Sequence, residues 1–327
     1  MTAVARALVS DDDVLAALRE RPKRLPCRLL YDAVGSELFE QITGLDDYYP
    51  TRVEYRLLDA MLPIVAEDVG RDARVIEPGA GAGCKTRRLL QALVEPSAYV
   101  GIDVSREILE RTRQTLSREL PSVDVQTIAA DFTRPFPLPP PRRAIGKTVV
   151  FFPGSTIGNF EPFDAIVFLA HLARLAGPDG RMLLGADGTQ DAAALVRAYD
   201  DIDGVTAQFN LNVLARLNRE RGAQFDLSAF RHRAVYNQRH SRVEMQLISL
   251  REQRVDVGGD TIELAKGEPI VTEHAYKHTL QGFRGMLHAA GWEVRQVLTG
   301  KEQPMRLWWC APLVRPLQSL RGRVTAP

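Results

Sequence analysis

The stretch EPGAGAGCKT, residues 77–86, places closely spaced glycines between an apolar run and a helical pattern. A phosphate-binding P-loop requires G-x-x-x-x-G-K-[ST]. Gly79 and Lys85 fit this motif, but Cys84 stands where its second glycine belongs. The dinucleotide fingerprint G-x-G-x-x-G fails at the same cysteine. In an S-adenosylmethionine loop, glycines such as Gly79 and Gly81 let the backbone approach the ligand, where a Cβ would collide. A plain tight turn is the remaining alternative.

Two acids at the ends of the next apolar runs help to distinguish these alternatives. Asp103, in GIDVS, follows the loop by about 20 residues, where a carboxylate can accept hydrogen bonds from both ribose hydroxyls. NAD and S-adenosylmethionine both contain such a ribose, so Asp103 alone does not distinguish between them. Asp131, in AADFTRPF, can accept from an adenine amino group, while the backbone N–H of Phe132 reaches a ring nitrogen. Either acid alone fits a solvated turn or helix cap. Together with the glycine loop, the two acids predict an S-adenosylmethionine-dependent methyltransferase.

The stretch EPIVTEHAYKHT, residues 268–279, combines acids, histidines, a tyrosine and a lysine. On a helix, His274 and His278 would share a face and could bind one metal ion. The stretch follows a hairpin pattern, however, and alternates as a strand does. This pattern sends Glu273 and Lys277 to one face and both histidines to the other. The histidines would then be about 13 Å apart, at ~3.3 Å per residue, so we predict no metal site.

These residues need a scaffold that brings them together. From residue 74 to 187, β-rich runs alternate with helical runs, which predicts a parallel sheet with helices on both faces. Ligands bind such sheets at the carboxyl ends of the strands, near the topological switch point. Residues 10–70 are predicted to be helical. Residues 230–279 break the alternation with antiparallel strands and a hairpin turn at GGD.

We therefore predict an α/β fold, a Rossmann-like class I methyltransferase sheet with a smaller α+β substrate-binding lobe. Residues 1–60 form the N-terminal helical part of that lobe, and 61–190 form the S-adenosylmethionine-binding Rossmann-like domain. Residues 191–285 are an insertion of the substrate lobe with antiparallel strands. Residues 286–327 provide the closing strands of the main sheet and a tail.

Composition narrows the class of partner. The 327 residues carry a net charge of +1, which gives no electrostatic basis for binding nucleic acid or an anionic membrane. No apolar run approaches the ~18 residues of a membrane span, and the N-terminus lacks a signal-peptide pattern. Cys27, Cys84 and Cys310 lie far apart, which indicates neither a disulfide framework nor a zinc cluster. We expect a cytoplasmic monomer that acts on a small molecule.

Longer stretches resemble the histidine Nα-methyltransferases of ergothioneine biosynthesis. They are YDAVGSELFEQITGLDDYYPTR, EPGAGAGCKTRRLL, FFPGSTIGNFEP, AYDDIDGVTAQFNLNVLARLNRE and RVEMQL, and the resemblance covers roughly residues 25–310. It implies a Rossmann-like domain with a smaller lobe that closes over a free amino acid. It further implies S-adenosylmethionine as cofactor, no metal, and three methylations of the α-amine of L-histidine, giving hercynine.

The resemblance also implies roles for individual residues. Asn159 would bind the amine and carboxylate of the substrate, and Tyr199 and Tyr31 would fix the carboxylate. Gly79, Gly81 and Lys85 would contact the methionine part of the cofactor. Asp103 would hold the ribose, and Asp131 with Phe132 would hold the adenine.

The implied substrate pocket has further walls. Tyr48, or its neighbour Tyr49, would reach the side-chain end, and Glu273 would accept a hydrogen bond from the imidazole N–H. The other wall residues would be Gly154, Thr206, Met245 and Ala275.

One position departs from the family pattern Glu-x-Ser, because this chain has Glu273, His274 and Ala275. A neutral imidazole has one donor and one acceptor nitrogen, and leaving the acceptor unpaired costs roughly 1–3 kcal/mol. Water or a tyrosine would have to replace the hydroxyl. Otherwise the substrate is another amino acid, such as tryptophan, or a histidine derivative. A nucleic-acid amino-methyltransferase and a non-catalytic cofactor-binding regulator are the competing classes of protein.

Overall fold

The computed structural model describes residues 11–134, 136–302 and 304–313. The helices are α1 (Asp11–Arg19), α2 (Ala33–Gly44), α3 (Tyr49–Val69), α4 (Cys84–Ala92), α5 (Arg106–Glu119), α6 (Pro162–Ala176), α7 (Ala192–Tyr199), α8 (Val205–Arg221) and α9 (Leu280–Ala289). The strands are β1 (Lys23–Arg24), β2 (Arg74–Pro78), β3 (Ala98–Asp103), β4 (Asp124–Ala129), β5 (Thr148–Phe152), β6 (Arg181–Asp187), β7 (Phe230–Asn237), β8 (Arg242–Ser249), β9 (Gln253–Val257), β10 (Asp260–Leu264), β11 (Pro269–Tyr276), β12 (Trp292–Thr299) and β13 (Met305–Pro312).

The main sheet has the strand order β12-β13-β6-β5-β2-β3-β4. Strands β2 to β6 are parallel, whereas β13 runs antiparallel to both β6 and β12. The chain moves outward from β2 to β3 and β4, and then returns to β5 on the other side of β2. The switch point therefore lies between the carboxyl ends of β2 and β5, where such sheets bind ligands. The predicted α/β fold with a Rossmann-like sheet is confirmed.

A second sheet has the order β1-β11-β8-β7, and β9 and β10 form a separate hairpin. The antiparallel strands predicted between 230 and 279 are confirmed, although the hairpin turn is Gly258–Gly259 and Asp260 already belongs to β10. The helical prediction for residues 10–70 is wrong at β1, which pairs in parallel with β11. Two residues carry no periodicity, so pairing with a distant strand decides their conformation. The four predicted domain ranges stay predictions, and their parts before 11 and after 313 lie outside the described residues.

Local sequence explains how the site is positioned. Strand β5, TVVFF, is buried along its whole length, as expected of a central parallel strand covered on both faces. A short 3-10 helix, Thr156–Asn159, follows β5 at the switch point. Helix α5 begins where the Ser105 hydroxyl accepts the Ile108 N–H, which fixes the turn after Asp103. None of the helices in the described ranges has the length and apolar character needed to cross a membrane.

Candidate active site

A cavity of about 910 Å³ lies at the switch point. Its walls come from the glycine loop after β2, the ends of β3 and β4, the 3-10 helix after β5, the N-terminal helices and the second sheet. Every residue assigned from the sequence to cofactor or substrate lines this cavity, with the exception of Ala275. The fold therefore brings together residues that lie far apart in the chain.

The glycine loop presents bare backbone to the cavity. Gly79, Gly81 and Gly83 have φ angles of 71°, 49° and 72°, a region that residues with a Cβ rarely adopt. The Gly81 N–H donates to Asp103 Oδ2 at 3.2 Å, and its carbonyl accepts from the Thr112 hydroxyl at 2.7 Å. A Cβ at Gly83 would lie 2.7 Å from Thr112 Cγ2, so this glycine permits the loop to pack against α5.

The two predicted acids take different environments. Burial raises the pKa of Asp103, against the effect of hydrogen bonds from the backbone N–H groups of Ser105 and Gly81. Asp131 Oδ1 accepts from the backbone N–H and the hydroxyl of Thr133, at 2.9 and 2.6 Å. Its Oδ2 is buried and has no hydrogen-bond partner among the described residues, the nearest cation being Arg28 with its Nε 3.8 Å away. An unpaired buried acceptor is costly, so this oxygen fits a ligand that donates to it.

Lys85 forms an ion pair with Glu54, a residue not predicted from the sequence. Glu54 is 1% exposed and also accepts the Gly154 N–H at 2.8 Å. A Cβ at Gly185 would lie 1.8 Å from Glu54 Oε1, so glycine makes room for this carboxylate. The contact of Lys85 with a cofactor carboxylate stays a prediction. The sequence feature that could have indicated Glu54 is its position on the buried face of α3, directly after Val53.

A second acid missed from the sequence is Glu77, which precedes the glycine loop and lines the cavity. It accepts hydrogen bonds from the Tyr99 hydroxyl at 2.7 Å and from the Thr86 hydroxyl. Burial nevertheless raises the pKa of Glu77 to about 8. An acid within the buried part of β2 was the signal. Its hydrogen bonds connect the start of the loop to β3 and to α4.

Asn159 and Glu273 meet at the other end of the cavity, where Asn159 Nδ2 donates to Glu273 Oε2 at 3.3 Å. Burial raises the pKa of Glu273 to about 7, although the positive charge of Lys277 partly opposes this shift. Burial and the charge of Glu273 raise the pKa values of Tyr31 and Tyr199 well above the ordinary value. Both hydroxyls therefore stay protonated at neutral pH. This end of the cavity combines an acceptor, an amide and phenol donors, which suits a small polar ligand.

The structure distinguishes the neighbours Tyr48 and Tyr49. Tyr48 lines the cavity, and its ring meets that of Tyr199 edge-on, with 6.2 Å between centroids. The Tyr49 hydroxyl instead donates to Asp187 Oδ2 at 2.5 Å. Tyr48 is therefore the tyrosine placed to contact a ligand.

Ala275 and Cys27 lie differently from expectation. Ala275 is 3% exposed and belongs to the hydrophobic core rather than to the cavity wall. Cys27 lines the cavity, although no sequence motif had assigned it to the site. Burial raises the pKa of Cys27 to about 12, and the charge of Glu273 adds to the shift, so the group is a neutral thiol.

The predicted alternation along β11 is confirmed. The rings of His274, Tyr276 and His278 follow one another on the face opposite Glu273, with centroid separations of 6.1 and 6.3 Å. Glu161 joins this face, because it contacts His274 Nδ1 at 2.7 Å and accepts from the Tyr276 hydroxyl at 2.5 Å. Within the described ranges, no group of three or more His, Cys, Asp or Glu side chains is placed to hold a metal ion.

Comparison with known proteins gives consistent matches. A sequence profile described as "Histidine-specific methyltransferase, SAM-dependent" matches residues 10–312. A histidine N-alpha-methyltransferase from Mycobacterium tuberculosis is 43% identical over 284 residues, covering 85% of this chain and 87% of that protein. One from Mycolicibacterium smegmatis is 38% identical over 305 residues, covering 92% and 90%. Ergothioneine biosynthesis protein 1 from Neurospora crassa is 35% identical over 204 residues, which span 61% of this chain and 23% of that protein.

Proposed function

The chain belongs to the family of histidine-specific, S-adenosylmethionine-dependent methyltransferases, and from this premise we propose that it methylates the α-amine of L-histidine to hercynine, a step of ergothioneine biosynthesis. One observation supports the proposed position of the reaction within the cavity. The Asn159 amide is hydrogen-bonded to buried Glu273 at 3.3 Å, in the same cavity as the glycine loop. A cytoplasmic location and a monomeric state stay predictions.

The loop side of the cavity fits the cofactor. A Cβ at Gly79 would lie 3.4 Å from the Phe132 ring and narrow the space in front of the loop. Asp131 offers a buried oxygen that has no hydrogen-bond partner among the described residues. When bound, S-adenosylmethionine supplies a methyl group that its sulfonium already activates for transfer. Asp131 and the backbone N–H of Phe132 would hold the adenine, Asp103 the ribose, and Lys85 the methionine carboxylate.

The opposite side of the cavity would hold the amino acid. Glu273 would accept the imidazole N–H, while Tyr31 and Tyr199 donate to the carboxylate. Asn159, which is hydrogen-bonded to Glu273 at this side, would orient the α-amine. The amine must be neutral to react, and an amide such as that of Asn159 is not a base, so we propose that the proton leaves to water. The contribution of the protein is then mainly positioning, since holding reacting atoms at ~3–3.5 Å supplies much of the barrier reduction.

Incubation of the purified protein with S-adenosylmethionine and a panel of free amino acids tests the proposal. We expect histidine to gain up to three methyl groups by mass spectrometry, with a product that co-elutes with synthetic hercynine. Tryptophan serves as the comparison, because its ring has a donor but lacks the second nitrogen. Methylation of tryptophan without methylation of histidine would overturn the proposed substrate.

The variant Ala275→Ser tests whether the missing hydroxyl determines the substrate. Since Ala275 lies outside the cavity wall, we expect the KM for histidine to change by less than about threefold, well under 1 kcal/mol. Tyr48, which lines the cavity, or a water molecule would serve the second imidazole nitrogen instead. Steady-state kinetics at saturating S-adenosylmethionine measure this. A tenfold fall in KM would show that position 275 does reach the imidazole.

A further inference from the structure

A buried ion pair between Lys277 and Asp187 lies behind the substrate end of the cavity. Lys277 Nζ is 3.2 Å from Asp187 Oδ2, and the side chains are 1% and 0% exposed. Asp187 also accepts from the Tyr49 hydroxyl at 2.5 Å, and from the backbone N–H and hydroxyl of Thr189 at 3.0 and 2.7 Å. Burial alone would raise the pKa of Asp187. The charge of Lys277 and these hydrogen bonds lower the pKa of Asp187 below its ordinary value, so Asp187 is a carboxylate at neutral pH.

The same ammonium group donates to Tyr199 Oη at 2.9 Å. An ammonium has three protons and no acceptor site, so the phenol oxygen accepts this bond and its own proton points elsewhere. Within the described ranges, Lys277 is the sole hydrogen-bond partner of that hydroxyl. Tyr199 lines the cavity and Lys277 does not. The Tyr199 proton is therefore available to a ligand in the cavity, and Lys277 can act on that ligand through the tyrosine.

We propose that Lys277 is a positioning residue, which presents the Tyr199 O–H to the carboxylate of the amino-acid substrate. This inference rests on the proposed function of the cavity and assigns a role to the buried pair behind it. The ammonium also polarises the phenol, which strengthens its O–H as a donor. Because Lys277 comes directly after β11, this segment sets both ends of the substrate, with Glu273 at the imidazole and Lys277 at the carboxylate.

A purely structural role for the Lys277–Asp187 pair is the alternative that has to be distinguished from the positioning role. Asp187 ends β6 of the main sheet and Lys277 follows β11 of the second sheet, so the pair also joins the two sheets. A structural tie would affect stability and ligand binding whether or not residue 199 carries a hydroxyl. Dependence on that hydroxyl is therefore the property that the experiment has to measure.

A double-mutant cycle measures this dependence. We compare the wild type, Tyr199→Phe, the variant Lys277→Met/Asp187→Asn, and the combination of all these substitutions. Asp187 is replaced together with Lys277, since an unpaired buried carboxylate is strongly destabilising. Histidine affinity is measured by calorimetry in the presence of S-adenosylhomocysteine. We expect Lys277→Met/Asp187→Asn to weaken binding about tenfold when Tyr199 is present and less than about twofold when it is phenylalanine. Equal losses in both backgrounds would overturn the proposal.

Two further measurements test whether the effect of the pair depends on the substrate carboxylate and on correct folding of the variant. Histamine keeps the imidazole and the amine but lacks the carboxylate, so its affinity is expected to stay within about twofold when the pair is removed. An equal loss for histamine and histidine would overturn the proposal. If the neutral variant folds poorly, the cycle is repeated with Lys277→Arg, which preserves the charge pair. A wild type that does not bind histidine would overturn the proposed function as well. If the wild type binds histidine but the effects of the substitutions on affinity are additive, only the proposed role of Lys277 is refuted.

Discussion

Replacement of Asn159 by alanine is expected to lower kcat/KM for histidine by about a hundredfold, with the affinity for S-adenosylmethionine unchanged within about twofold. Asn159 ends the 3-10 helix at the switch point, and its amide is hydrogen-bonded to Glu273 at 3.3 Å. Alanine preserves this turn but removes the group that would hold the amine in line with the transferred methyl. Because the proposed role is orientation, the loss should appear mainly in kcat.

Cofactor affinity by calorimetry and single-turnover rates with histidine separate the two parts of this prediction. Asn237→Ala is the matched control, since it removes an amide at the end of β7 that donates to Glu244 at 2.9 Å, outside the cavity wall. The control should retain turnover within about twofold. Near-normal turnover of Asn159→Ala would refute the assignment of Asn159. A parallel loss of cofactor affinity would place its effect in the cofactor site instead.

The parts of the molecule that the sequence predicted are those that local patterns determine. Alternating strands and helices require a parallel sheet, and its strand ends share one edge. Asp103, Asp131 and Asn159 could therefore be placed at one site before any contact was known. The alternation of Glu273 against His274 along β11 is local in the same sense, and it removed the metal-site interpretation.

The parts that escaped prediction depend on contacts between distant residues. Glu54 meets Lys85 across 31 positions of the chain, and Tyr49 meets Asp187 across 138. No local pattern could show that Tyr48 rather than Tyr49 faces the cavity, because both precede or begin α3 and both are buried. The buried pairs that surround the site are likewise products of packing between the sheets.

Replacement of Glu273 by glutamine is expected to weaken histidine binding by about 10-fold or more, as for the loss of a hydrogen bond to a charged group. Burial raises the pKa of Glu273 to about 7, so the carboxylate that accepts the imidazole N–H becomes populated as pH rises from about 6 to 8. Glutamine does not titrate. The ratio of wild-type to variant affinity should therefore increase across this window, and the titration of histidine itself cancels from the ratio. Calorimetry with S-adenosylhomocysteine at several pH values measures it.

The same substitution is expected to stabilise the fold at neutral pH. The native Glu273 keeps its proton up to about pH 7, whereas an ordinary glutamate loses it near 4.5, so the wild type loses stability relative to the variant as pH rises between these values. At about 1.36 kcal/mol per pH unit, the difference in free energy of unfolding above pH 7 is on the order of 3 kcal/mol. Urea denaturation at about pH 5 and pH 8 measures this. Glu263→Gln, whose side chain on β10 is exposed, makes the same change in charge and should show no such trend.

The two effects of Glu273→Gln have opposite signs, and this combination separates function from structure. A glutamate kept for structure would stabilise the fold through its bond with Asn159, so its replacement would lower stability together with any binding. A glutamate kept for the substrate instead leaves a carboxylate buried at the expense of stability, because only the ionised group can accept the imidazole N–H strongly. Weaker binding with greater stability above pH 7 therefore supports Glu273 as the imidazole partner. Unchanged histidine affinity across the pH window would remove it from that role, whatever happens to stability.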